Sequence, residues 1–170
     1  MKIITSSSRL FLREFSIYDG VHFFNLNKDP EVIKYTGDSS FKSVSEAEIF
    51  IQNYSAYKDY GYGRWAVCLK ESQEFLGFCG LKYHPKNKIT EVGFRFFKNQ
   101  WNKGYATEST LACLNYGFSE IKLKEIYAQV HINNYTSQRV IEKCGLHFVK
   151  EFIYDHEPTN LYCLKNPLKL

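Results

Sequence analysis

Apolar residues recur along this chain at two periods, and each change of period marks the end of an element. Leu10, Phe11 and Leu12 open a strand running to about Phe15. Val21, Phe23, Phe24 and Leu26 suggest a short helix, and Asp29-Pro30-Glu31-Val32 begins a second, with proline at the first helical position. Ser43 and Glu46 stand at capping-box spacing, and Ala47, Phe50, Ile51, Tyr54 and Tyr57 form the stripe that a helix would bury behind them. Runs 64–69 and 75–81 flank a polar turn and read as a hairpin. Strand 91–97 passes through Lys98-Asn99-Gln100 and a tight loop into Leu111, Leu114 and Phe118, three and four residues apart as on one helix face. Ile126, Ala128, Val130 and Ile132 alternate with polar neighbours as in a strand. A helix with Val140, Ile141 and Cys144 ends at Gly145, and 148–154 with 161–164 form a last antiparallel pair.

The order strand, helix, strand over 91–132 allows two parallel neighbours, while hairpins join the rest. The expectation is one α/β (α+β) domain over residues 1–170, with a mixed, mostly antiparallel sheet. A chain of this length buries about 70% of its unfolded surface without a staple. Its net charge of +4 is dispersed, which argues against a nucleic-acid partner but can steer an anionic one. No apolar run approaches the roughly 20 residues of a membrane span, and no secretory signal opens the chain, so no membrane partner is expected. The five cysteines lack a Cys-x-x-Cys pair and the five histidines lack ligand spacing. Reduced thiols, a cytoplasmic location and no metal are expected.

The centre of the chain is Trp101-Asn102-Lys103-Gly104-Tyr105-Ala106-Thr107-Glu108. A loop between a strand and a helix turns free backbone N–H groups and the positive end of the helix dipole toward one point, which suits a phosphate or pyrophosphate. Gly104 permits close backbone approach, Ala106 keeps the first turn open and Lys103 adds charge. It is neither a P-loop nor a Gly-x-Gly-x-x-Gly loop.

This stretch resembles the acyl-CoA pyrophosphate loop of the GNAT superfamily of N-acetyltransferases, in the RimJ/RimL branch of ribosomal-protein N-terminal acetyltransferases. Asn134-Tyr135-Thr136-Ser137-Gln138-Arg139-Val140-Ile141-Glu142-Lys143-Cys144-Gly145-Leu146 is similar to the second signature of that branch, and Arg9-Leu10-Phe11-Leu12-Arg13 with Asp19 to its opening strand. The resemblance covers about residues 8–165. It implies a GNAT-like sheet in which strands 91–97 and 126–132 splay apart to take pantetheine, helices on both faces, and acetyl-CoA as co-substrate. Backbone groups of Phe94, Arg95 and Phe96 would meet pantetheine. Trp101, Asn102, Lys103, Gly104, Tyr105, Ala106 and Thr107 would surround the pyrophosphate, with Asn134 on the cofactor arm.

Amine acetylation needs a held donor, a deprotonated amine and a route for the thiolate to leave. Glu91 is the candidate base, directly or through water, its pKa raised by burial at the start of an apolar strand. Ser137 is the candidate donor to the thiolate, or else a helix cap. Many superfamily members carry a tyrosine as acid where this chain has Ile141, and Tyr105 and Tyr135 are out of position for that role. Asn102 stands where many relatives have glycine, a departure that a backbone-only role tolerates if its dihedrals are ordinary. Packing onto the sheet is favoured for most of Phe23, Phe24, Tyr35, Tyr54 and Tyr57, with acceptor choice written in residues 27–45. The acceptor is a primary amine of a peptide N-terminus or a small molecule, and the protein a monomer or homodimer. The competing reading is an inactive acyl-CoA-binding or interaction module.

Overall fold

A computed structural model describes residues 2–167. Eight strands form one sheet: β1 (Ile3–Ser6), β2 (Leu10–Arg13), β3 (Arg64–Leu69), β4 (Phe75–His84), β5 (Ile89–Phe96), β6 (Glu125–His131), β7 (His147–Tyr154) and β8 (Glu157–Lys165). The helices are α1 (Gly20–Lys28), α2 (Pro30–Ile33), α3 (Val44–Gln52), α4 (Ala56–Tyr60), α5 (Tyr105–Ser119) and α6 (Tyr135–Lys143). The strand order is β1-β2-β3-β4-β5-β6-β8-β7, antiparallel throughout except for the parallel pair β5–β6.

Alternation along the strands divides the core between the two faces of the sheet. On one face, Leu10, Leu12, Trp65, Val67, Val92 and Phe96 pack with Cys113, Leu114 and Phe118 of α5 and with Ile141 of α6. On the other, Phe11, Ala66, Cys68 and Phe75 pack with Phe23 of α1 and with Ala47 and Ile51 of α3. All five cysteines are free thiols and four of them are buried.

The β5–β6 pair positions the site. β5 stays in register with β4 as far as Phe96 opposite Gly77, but it pairs with β6 at Glu91 opposite Tyr127 and no further. The two strands therefore part toward the carboxyl end of β5. Residues 94–96 are left without a strand neighbour on that side.

Three expectations need correction. β1 precedes the expected first strand. The long helix behind Ser43 stops at Asn53, and α4 is separate. Glu91 lies inside β5, two residues past its start, because Ile89 and Thr90 already pair with His84 and Tyr83.

Candidate active site

A cavity of about 670 Å³ opens where β5 and β6 separate. Its walls come from Phe94, Arg95 and Phe96, from the loop into α5, from the first turns of α6, and from Glu31, Val32 and residues 34–36 at α2. Gly104 is the N-cap of α5, with φ +82 and no side chain capping the helix. The amide of Glu108 bonds Gly104 O, so the amides before it have no helical partner. Gly104, Tyr105, Ala106 and Thr107 all line the cavity. The arrangement is an anion cradle at the positive end of a 15-residue helix.

Glu108, in the first turn, would oppose a bound anion if it turned inward. It turns outward instead. Its carboxylate takes hydrogen bonds from Ser7 Oγ (2.7 Å), Arg9 N (2.8 Å) and Arg9 Nε (2.7 Å). Burial works against its charge, but these donors outweigh it and hold the carboxyl below its usual range. Arg9 also donates to Lys103 O at 3.1 Å and lies over the Tyr105 ring at 4.6 Å. One N-terminal arginine thus braces both sides of the loop, a tie across about a hundred residues that sequence spacing does not reveal.

Asn102 takes φ +60, so the condition of ordinary dihedrals is not met; asparagine is among the few residues that adopt this left-handed region readily. Lys103 is not on the cavity wall: its ammonium lies 3.0 Å from Gln100 Oε1. The Trp101 indole donates to Phe96 O at 2.9 Å, which commits one of the three backbone positions expected to meet pantetheine.

Asn134 is the N-cap of α6, its Oδ1 accepting from Ser137 N at 3.2 Å. Ser137 is therefore capped rather than capping. Its side chain makes no hydrogen bond among the described residues, and it lines the cavity together with Asn134 and Tyr135. Ile141 is 1% exposed and belongs to the core. Tyr105 and Tyr35 also border the cavity, and Tyr35 stacks on His131 with ring centroids 5.0 Å apart, joining the α2 segment to the end of β6.

Glu91 departs from expectation. It lines neither this cavity nor the smaller one described next. Its Oε1 accepts from Arg64 Nη2 at 2.6 Å, and its Oε2 stands 3.2 Å from His84 Nε2. Burial alone would raise its pKa, as anticipated, but the His84 contact and the charges of Arg64, His84 and Lys82 outweigh burial and hold the carboxyl below its ordinary 4.5. The carboxylate is a weaker base than burial alone would make it.

The second cavity, about 230 Å³, lies on the α1–α3 side of the sheet, and Arg95 belongs to the walls of both. Phe23 and Tyr54 line it, so packing and pocket coincide at these two positions. Tyr57 does not. Its hydroxyl donates to Arg64 O and accepts from Phe15 N (3.2 Å), tying α4 to the sheet. Among the described residues no helix is long and apolar enough to cross a membrane, and no group of three or more His, Cys, Asp or Glu side chains is placed to hold a metal.

Residues 9–147 match the family model described as an acetyltransferase (GNAT) domain. The N-acetyltransferase p20 of Bacillus licheniformis, itself uncharacterised, is 32% identical over 154 residues, 89% of this chain and 85% of that protein. A GNAT-family acetyltransferase from Bacillus anthracis superposes with a TM-score of 0.84 at 26% identity, covering 97% of this chain and 99% of that one. A spermidine N-acetyltransferase from Vibrio cholerae, solved with CoA and spermine, shares the fold with a TM-score of 0.80 at 19% identity, over 94% and 96% of the two chains. The divided sheet, the bare helix end that it exposes and the family match agree: this chain belongs to the GNAT family and is an acetyltransferase.

Proposed function

We propose that the protein moves the acetyl group of acetyl-CoA to a primary amine by direct attack within a ternary complex, as an enzyme of the RimJ/RimL type acting in the cytosol. The observation that carries this reading is the uncapped N-terminus of α5 at one end of a cavity that begins between β5 and β6. A pyrophosphate would meet the amides of residues 104–107 there, with Glu108 already neutralised by Arg9. The pantetheine arm would run along the free side of Phe94 and Arg95. The CoA complex of the Vibrio cholerae relative supports the same donor for this chain.

In the transfer, the amine nitrogen attacks the thioester carbonyl carbon, the carbon–sulfur bond breaks, and sulfur leaves as thiolate. Ser137 is the proposed group that gives the sulfur a hydrogen bond or a proton, which it recovers from water. The attacking nitrogen must be neutral when it attacks, and it passes a second proton to water as the tetrahedral adduct collapses to the amide. An α-amine has a pKa of about 8, so a fraction is neutral at pH 7 without a strong base. Glu91 enters this scheme by holding Arg64, and a proton reaches it only by way of water.

Acetyl-CoA should raise the melting temperature of the protein. At about 100 times its Kd the ligand contributes roughly 2.7 kcal/mol, a shift of a few degrees. Thiol release against a panel of amines then reports transfer. Absence of any shift with acetyl-CoA or CoA would remove the donor from the proposal.

A further inference from the structure

Polar groups at the 230 Å³ cavity restrict what it can hold. Six aromatic side chains, Phe15, Phe23, Phe41, Phe50, Tyr54 and Phe78, form most of its wall. Their rings lock one another: Phe15 meets Phe23 edge-on at 4.8 Å, Phe23 stacks on Phe78 at 5.8 Å, and Phe41 leans on Phe50 at 5.7 Å. The polar groups are Asn27, Asp38, Ser39, Arg64 and Arg95. Two of these are permanent cations and one is an anion.

An aromatic enclosure can attract a cation. Here that position is taken, since the Arg95 guanidinium lies 5.3 Å from the centroid of Phe78. Arg95 also donates to Asn27 Oδ1 at 2.6 Å and pairs with Asp38, the single carboxylate on the wall. A second ammonium from a polyamine would meet guanidinium groups and find Asp38 already engaged. An uncharged ring or branched alkyl group would exchange water for aromatic carbon at no electrostatic cost. The shared Arg95 puts this enclosure next to the cavity assigned to the donor.

Resting on the acetyltransferase reading, we infer that this enclosure receives the substituent of the acceptor. The acceptor is a primary amine bearing one uncharged aromatic or branched aliphatic group beside the reacting nitrogen, and polyamines are excluded. Such a group is available on a free amine or on the first residue of a peptide.

The test measures kcat/KM, with acetyl-CoA present, for phenylalaninamide, a tripeptide beginning with phenylalanine, glycinamide and spermidine. It uses the wild-type chain and the rim variants F50A and F41A, each first checked for an intact acetyl-CoA thermal shift. Phenylalaninamide or the tripeptide should exceed both glycinamide and spermidine by about ten-fold or more, the scale on which an apolar pocket discriminates. The better of the two hydrophobic substrates identifies the source. Both rim variants should shrink the preference over glycinamide. A preference for spermidine or glycinamide, a preference untouched by both variants, or turnover of other amines in the panel but of none of these four would overturn the inference alone. Acetyl-CoA binding without turnover of any amine in the panel would overturn the acetyltransferase reading and leave an acyl-CoA-binding module. Loss of both the acetyl-CoA shift and all turnover in the wild type would overturn the acetyltransferase reading beneath it.

Discussion

Arg64 spans the sheet to reach Glu91, 2.6 Å from Nη2 to Oε1, and its guanidinium occupies the space that a side chain on Gly93 would need. Nη1 of the same group donates to Gly80 O at 2.5 Å and to Gly93 O at 3.1 Å. A single side chain therefore clamps β4 to β5 two residues beyond the last pairing of β5 with β6.

Glu91→Gln should leave Arg64 as a largely buried, poorly compensated cation and cost up to about 3 kcal/mol of stability. Because the folded-state pKa of Glu91 is lowered, its stabilising contribution is present above the ordinary carboxylate range and is lost as pH falls through the folded value. The stability gap between parent and variant, read from denaturant melts, should accordingly narrow below about pH 4. The same variant should lower turnover without moving the alkaline-side rise of the pH–rate profile. A moved rise would make Glu91 the base itself.

Gly93→Ala would place a Cβ 2.6 Å from Arg64 Nη2. The guanidinium must shift, and a cost of about 1–3 kcal/mol is expected from overpacking. Transfer activity should fall more than acetyl-CoA affinity, since neither Gly93 nor Arg64 lines the donor cavity. Comparing melts, acetyl-CoA titration and turnover separates the two effects.

At Gly104 the backbone has φ +82, and a Cβ would come within 3.3 Å of Arg9 Nη2. Gly104→Ala should cost roughly 1–2 kcal/mol for the left-handed residue and weaken acetyl-CoA binding. Gly104→Arg, which fills the cradle, should abolish the thermal shift with acetyl-CoA. A retained shift in Gly104→Arg would place the donor elsewhere.

Ser137→Ala removes a hydroxyl that no described residue engages and leaves the Asn134 cap on its backbone intact. Turnover should fall about 100-fold if Ser137 donates to the thiolate, with little change in melting temperature. Unchanged kcat would hand the leaving thiolate to solvent.

The alternation and spacing of apolar residues placed the hairpins, α5, α6 and the parallel crossover in advance, because each reports which face of a local element is buried. The sequence also singled out Gly104 and Ser137, whose proposed roles depend on nearby backbone. Several decisive features depended on the tertiary structure alone. Glu91 was anticipated as a carboxylate made more basic by burial. That expectation failed because His84, brought alongside by the β4–β5 hairpin, and Arg64, 27 residues away in the chain and a neighbour only across β4, both meet the carboxylate. Arg9 and Glu108, 99 residues apart, meet for the same reason. The aromatic enclosure looked like ordinary packing because its rings come from α1, α3, β4 and the segments between, and a void among them has no sequence pattern. Local periodicity is a property of neighbours in the chain, so it specifies elements. Charge pairing and enclosed volume are properties of neighbours in space, and here only the folded sheet brought those neighbours together.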